Sequence, residues 1–250
     1  MIIDAHGHVE ESPMSVWHDP PERVVDLMDL AGIDLTLVTS FLEAPTYPGA
    51  IDGLVASVRK FPDRLIGFAR INPRGGDKAI EAMDYAAAFP EIRGIKLHPI
   101  SNGAKAYSAP AQRVLKHAAK LGLIIFSHCC DRVGGQPFQI ARGALLCPEV
   151  TIICHMGGFF QGKDSIQMAK ECPNVYLDTS STPYPDLILR AIDTLGAERI
   201  VFASDNPAGD PISDLAKIKN LGLNKNEEEL ILYRNIARIM NLTHVRGKQI

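Results

Sequence analysis

Eight short β-rich runs, each followed by a stretch of helical period, recur along the chain and constrain its fold more than any other feature. They read MIIDA, DLTLVTS, RLIGFARI, GIKL, LIIFS, VTIIC, VYLD and RIVFAS, rich in the β-branched and aromatic side chains that suit a pleated surface. Between His6, Ser40, Ile71, Lys96, Ser127, Cys154, Asp178 and Ser204, near the ends of these runs, the successive gaps are 34, 31, 25, 31, 27, 24 and 26 residues. Each gap is the length of one βα unit. The intervening segments place apolar residues at helical spacing, as in Val24, Leu27, Met28 and Ala31, or Ile188, Ala191, Ile192 and Leu195. VTIIC and LIIFS are nearly continuous apolar runs, which belong to a sheet covered on both faces, and alternation with helices makes that sheet parallel. Eight such units in 250 residues predict an α/β chain folded as a (β/α)8 TIM barrel, with an open doubly wound sheet as the competing architecture. Glu227 to Met240 reads as one additional C-terminal helix, whose Leu232, Ile236 and Ile239 are expected to be exposed for packing on the barrel or on a second subunit. A homo-oligomer is therefore left open. No linker, low-complexity tract or internal repeat divides the chain, so residues 1–250 read as one domain.

Hydrophobic residues make up 46% of the chain and charged residues 22%, the balance of a folded water-soluble protein and not of a disordered or fibrous one. With 26 Lys and Arg against 29 Asp and Glu the net charge is −3, so no positive field exists to hold nucleic acid or an anionic membrane. No apolar run approaches the roughly 18 to 20 residues that span a bilayer. Met1 to His8 meets charge after two isoleucines, unlike an export signal. The five cysteines are odd in number, and Cys129 and Cys130 are adjacent, which suits a reducing compartment. A cytoplasmic protein acting on a small molecule is the expectation.

In a parallel barrel the reactive face is built by the C-terminal ends of the strands and the loops after them, so a titratable residue gains meaning from lying there. The first strand ends in DAHGHV, with Asp4, His6 and His8 at alternate positions; a period of two sends them to one face, where His6 and His8 can address one ion. The fourth gives GIKLHP with Lys96 and His98, the fifth FSHCC with His128, the sixth ICHMGG with His155, and the eighth FASDNP with Asp205. A single histidine after a strand is most often an ordinary core or loop residue. Here five of the eight histidines lie at strand ends, and only His18, His117 and His244 fall elsewhere. Neutral imidazole with carboxylate is the donor set that divalent ions such as zinc favour, with one position open to water. Cations flank these ends: Arg70 after the third strand, His98 beyond Lys96, and Arg132 four residues after His128. They are candidates for binding a substrate carboxylate, although a structural ion pair accounts equally well for Arg70 and better for Arg132. Gly157 and Gly158 more simply let the chain turn than cradle an anion, and Cys129 and Cys154 read as buried filling on the opposite strand face.

Taken together these motifs resemble the metal-dependent amidohydrolase superfamily, in its compact amidohydrolase-related branch, and the similarity spans the chain from DAHGHV to FASDNP. The resemblance implies a barrel mouth in which His6, His8, His128 and Asp205 ligate a divalent ion, zinc first and manganese as the other choice. It implies for His155 either a further ligand or the group that holds an attacking water. For Lys96 it implies a carboxylated bridge between two ions or, the reading preferred here, a charged group that pairs with a nearby carboxylate or binds substrate. One or two ions are thus allowed. A bound cation brings the pKa of its water from about 15.7 toward 7; Asp205 would take that proton and return it to the leaving group, while His155 orients the water or steadies the oxyanion. The catalytic set is then Asp205, His155 and Lys96, with Arg70, His98 and Arg132 on the substrate.

The function expected on this resemblance is hydrolysis of a C–N or C–O bond in a small amide, cyclic amide or lactone bearing a carboxylate. The alternative is nonoxidative decarboxylation of a small aromatic or unsaturated acid, which relatives of this branch perform with the same ligands. Such a pocket would have aromatic walls; aromatic residues are 6% of the chain, with Phe159, Phe160 and Tyr107 as candidates. A TatD-type deoxyribonuclease resembles the chain less, since it places a Glu where GIKLHP stands. A noncatalytic metal-binding barrel would have no use for an acid–base Asp beside an open coordination position.

Overall fold

The computed structural model describes residues 1–250. Eight parallel strands lie in chain order in one sheet: β1 (Ile3–His8), β2 (Leu35–Thr39), β3 (Leu65–Arg70), β4 (Ile92–Leu97), β5 (Ile124–Ser127), β6 (Ile152–His155), β7 (Val175–Asp178) and β8 (Ile200–Val201). Around them run α1 (Pro21–Ala31), α2 (Ala50–Lys60), α3 (Asp77–Ala87), a short α4 (Pro99–Asn102), α5 (Ala109–Leu121), α6 (Pro137–Leu146), α7 (Gly162–Glu171), α8 (Pro185–Leu195) and α9 (Pro211–Lys219). The first strand and the chain after the last one close the ring. Ala5 N–H donates to the Phe202 carbonyl at 2.9 Å, Asp205 N–H to the His6 carbonyl at 2.9 Å, and His8 N–H to the Asn206 carbonyl at 2.6 Å. The (β/α)8 barrel is therefore the fold, and the open doubly wound sheet is not.

Why these residues take these elements follows from burial on both faces. Every residue of β1 and β2 is buried, because side chains alternate between the barrel interior and the helix layer. Helices start where a proline supplies a fixed φ and needs no donor, as at the first turns of α1, α5, α6, α8 and α9. At Gly94 in β4 a Cβ would lie 2.2 Å from the Phe68 ring of β3, so the inward-packed phenyl requires glycine there. Of the run RIVFAS only Ile200–Val201 keeps regular pairing with β7; beyond it the Thr179 hydroxyl takes the Ala203 N–H at 3.1 Å.

Two apolar layers result. One lies between strands and helices and includes Val24, Met28, Leu54, Met83, Ile95 and Leu115. The other fills the barrel and its N-terminal end, where Ile3, Leu37, Phe68 and Phe126 meet Ile236 and Met240. These last two come from the predicted C-terminal helix, which runs through Lys225–Glu229, a π turn over Leu230–Arg234, and Asn235–Ile239. Of the two placements open to its apolar positions, the barrel or a second subunit, they take the barrel. Leu232 is 3% and Ile236 0% exposed, and Ile239 packs half-buried on the same layer; within the π turn the Ile231 carbonyl accepts from Phe202 N–H at 2.9 Å. The helix is the floor of the barrel. No helix is long and apolar enough to cross a membrane.

A floor made by so few side chains is sensitive to their removal. Ile236→Ala is expected to cost about 2–5 kcal/mol in chemical denaturation, whereas Ile212→Ala, at a position 49% exposed, changes stability by less than about 0.5 kcal/mol.

Candidate metal centre

The closure of the barrel brings β1 against the chain that follows β8, and with it His6 and His8 against Asp205. Both imidazoles point inward and are buried. The Nε2 atoms of His6 and His8 each lie 3.1 Å from Asp205 Oδ1, and one donor atom from each residue falls within 4.8 Å of the others. Asp205 reaches inward from a left-handed backbone, φ 60°. Burial acts to raise its pKa, but hydrogen bonds from His6 and His8 outweigh that and hold the carboxyl far below its usual range. Burial, with Lys96 for His6 and against the pull of Asp205, pushes both imidazoles below theirs. The cluster is thus two neutral imidazoles and one carboxylate, and the buried Nδ1 of His8 has no partner. That donor set fits a divalent cation of zinc or manganese type.

The remaining strand-end residues surround this cluster at different depths. Lys96 is 1% exposed, with Nζ 3.2 Å from His6 Nε2 and 4.2 Å above the Phe126 ring; burial brings its pKa down to about 7. The close contact of Lys96 is thus with an imidazole nitrogen, while the Asp205 and Asp178 carboxylates act on its charge from further off. His128 stands one ring further out, stacked on His98 at 4.1 Å and 5.0 Å from His155, and burial holds its pKa well below normal. Its ring nitrogens lie outside the three-residue cluster.

His98 and His155 carry a proton on opposite ring nitrogens, Nε2 and Nδ1, because of their partners. Ser101 N–H donates to His98 Nδ1 at 3.2 Å; a backbone amide can only donate, so the proton of the neutral ring sits on Nε2. Burial brings the His98 pKa down to about 3, which keeps the ring neutral. His155 Nδ1 lies 3.0 Å from Ser180 Oγ and 3.0 Å from Asp178 Oδ2. Ser180 Oγ gives its one proton to Asp178 Oδ1 at 2.6 Å and so accepts from His155, which places a proton on His155 Nδ1. Asp178 closes VYLD, so the seventh strand end also carries a carboxylate, a signal present in the sequence.

Arg70 and His98 line the same cavity of about 570 Å³ as the cluster. Arg70 is 7% exposed; Nη2 donates to Ser101 Oγ at 2.7 Å, and Nε lies 3.7 Å from Glu43 Oε2 without a hydrogen bond. Burial lowers its pKa, with Glu43 acting against the shift. Arg132 is exposed beside a neighbouring cleft that shares His98, His128 and His155. Gly157 and Gly158 both have positive φ. Asp131 accepts from the N–H groups of Phe159, Phe160 and Gln161 just beyond them, so this turn is filled by the chain's own carboxylate. Cys129 and Cys154 are buried in the apolar layer behind the strands.

Sequence reasoning missed the aromatic lining. Phe41, stacked on His8 at 4.3 Å, borders the cavity with Trp17 and Tyr47, while Phe126, stacked on His6 at 4.2 Å, lies behind it in the barrel interior. Phe159 is 61% and Phe160 85% exposed, and neither Phe160 nor Tyr107 borders it.

A sequence family described as Amidohydrolase matches residues 3–242. No curated protein matches the chain. Among solved structures, 2,6-dihydroxybenzoate decarboxylase from Rhizobium superposes with a TM-score of 0.75 at 16% identity, over 97% of this chain and 98% of that one. The 5-carboxyvanillate decarboxylase from Sphingomonas paucimobilis gives 0.73 at 15%, over 96% and 98%. A dihydroxybenzoic acid decarboxylase from Polaromonas sp. JS666, with bound manganese and the inhibitor 2-nitroresorcinol, gives 0.76 at 17%, over 98% of both chains. At these identities the likeness is one of fold.

Two outcomes test the site. His8→Ala should weaken zinc or manganese binding in calorimetry by more than the roughly 10- to 100-fold that loss of an outer hydrogen-bond partner costs, and Arg132→Ala should leave it unchanged. Because His98 stays neutral in the fold down to about pH 3 but is protonated below about 6.5 in the unfolded chain, acid favours unfolding. Between pH 6.5 and 5 the wild type should lose stability relative to His98→Gln by about 1.4 kcal/mol per pH unit; parallel pH profiles would refute this.

Proposed function

This chain belongs to the amidohydrolase family, and on that premise we propose that it is a metal-dependent decarboxylase of a small aromatic or unsaturated acid. The observation that carries the reading is the wall of the cavity. Phe41, stacked on His8, lines the cavity together with Trp17 and Tyr47, and the same cavity holds a desolvated guanidinium, Arg70. Flat apolar rings beside a buried cation suit an acid with a planar body. The similar solved folds named decarboxylases of aromatic acids support the same choice.

In this reading His6, His8 and Asp205 hold the divalent ion, manganese or zinc. When bound, the ion supplies Lewis acidity toward substrate oxygens. Arg70 draws the carboxylate into the cavity, and the His98 Nε2–H offers a neutral donor to a second oxygen. Decarboxylation breaks the bond between the carboxyl carbon and the ring or alkene carbon, and the electron pair left on that carbon takes a proton. One proton is consumed for each CO2 released, so a group in the cavity must be reloaded from solvent. Asp205, ionised at rest and with its side chain 23% exposed against 3% for His155, is the group we assign to relay it from solvent to that carbon. His155, held by Ser180 and Asp178, borders the reacting carbon, and Lys96, whose pKa burial brings down to about 7, lies beside His6. All five cysteines are free thiols, in keeping with the cytoplasmic location proposed for the enzyme.

Hydrolysis of a lactone or amide is the second reading. It is favoured by one observation: Asp205 at rest is an ionised base, the state that deprotonates water. Manganese- or zinc-loaded protein incubated with hydroxybenzoates and with lactones separates the two, because CO2 release supports decarboxylation and ring opening without CO2 overturns it. Asp205→Asn should cost at least about 100-fold in kcat with the ion still bound, and Arg70→Met should raise KM for the acid by about tenfold or more.

A further inference from the structure

We propose that the loop 11–18 extends the substrate site, and that the acid bound there carries an apolar planar body longer than one ring, reaching from the ligand cluster to Trp17 at the mouth. The inference deepens the decarboxylase reading and rests on it.

The loop is built to hold a ring in place. Its neck is closed by two backbone hydrogen bonds between Glu10 and Asp19, at 2.7 and 2.9 Å. The Glu10 carboxylate, 5% exposed, accepts from Ser12 N–H at 3.0 Å through one oxygen and from Phe41 and Leu42 N–H at 3.0 and 3.1 Å through the other. One buried side chain therefore ties the loop after β1, which carries Trp17, to the loop after β2, which carries Phe41. The rings follow from that tie. Trp17 stacks on Phe41 at 5.1 Å and 19°, and Phe41 stacks on His8 at 4.3 Å and 10°. A continuous run of π faces leads from a proposed ion ligand to the rim, two ring spacings away.

The rim is left uncovered. Trp17 is 54%, Met14 59% and Val16 96% exposed, all three bordering the cavity. Large apolar side chains in water at the edge of a cleft gain free energy when a ligand covers them. An acid that fills the cavity from Arg70 and the cluster to its rim meets the indole there. Aryl-alkenoic and bicyclic aromatic acids share the chemistry that suits such a cavity, a carboxylate with an extended conjugated body. The cavity, at about 570 Å³, is of the size that encloses ligands larger than a single ring.

Trp17 is the chain's one tryptophan, so its emission reports on this loop alone. Manganese-loaded protein is titrated with benzoate, trans-cinnamate and 3-cyclohexylpropanoate, by tryptophan fluorescence and by calorimetry. Cinnamate is expected to shift the emission and to bind about tenfold more tightly than either other acid, the scale of one added ring contact. In calorimetry Trp17→Ala should bring cinnamate to the benzoate level without changing benzoate, Trp17→Phe should restore most of the difference, and Glu10→Gln should weaken cinnamate alone. Equal effects of Trp17→Ala on both aromatic acids, no effect on either, or no preference for cinnamate would overturn the proposal. CO2 release is read separately: cinnamate preference with ring opening of lactones and no CO2 from any acid would sink the decarboxylase reading while leaving the extended site in place.

Discussion

The closure of the barrel through a buried carboxyl, Asp4, is the contact on which the rest depends. Asp4 Oδ1 accepts from the N–H groups of His6 and Ser204, at 3.1 and 3.0 Å, and Oδ2 accepts from the Ser204 hydroxyl at 2.5 Å. Two hundred residues separate the partners, and bringing them together costs chain entropy that only the completed sheet offsets. The reward is local. Asp4 sits two residues before His6, and Ser204 immediately precedes Asp205, so the same contact that seals the sheet sets the cluster. Burial lifts the Asp4 pKa to about 7 against the pull of the Ser204 bonds, a measure of how far this carboxyl is from water.

Within the cavity, low polarity and fixed partners decide protonation. Burial disfavours charge on the rings of His6, His8, His98 and His128, and the Ser101 amide and the Ser180–Asp178 pair then choose which nitrogen keeps the proton on His98 and His155. These two imidazoles thereby carry a proton on unlike nitrogens, Nε2 on one and Nδ1 on the other. A single residue type is set in two ways by the backbone and side chains behind it.

How much of this was legible in the sequence follows from what each pattern encodes. The spacing of β-rich runs encodes connectivity, and a parallel eight-strand barrel follows from it. The alternation of His6 and His8 encodes a shared face, and the strand-end positions of Asp205 and His128 encode a shared mouth, but of the four residues so named His128 stands outside the cluster because its ring stacks on His98. The proton positions on His98 and His155 were not legible, since they depend on a short helix after β4 and on Ser180. Composition misled on aromatic content because 6% is an average over the chain, whereas Phe41 and Phe126 are placed by loops and register within stacking distance of the ligands. The terminal helix was legible as a helix, but its periodicity says only that one face is apolar, not that the face would be used as a plug.

That plug gives the barrel a timetable. A ribosome that has released residues 1–220 has already delivered His6, His8 and Asp205, yet the lower end of the sheet still lacks Ile236 and Met240 and lies open to water. Domains emerge from the N-terminus first, so the nascent protein passes through an interval in which the chemistry is encoded but the vessel leaks. Chaperone capture during that interval would act on the underside of the barrel, at the opposite pole from the ligands.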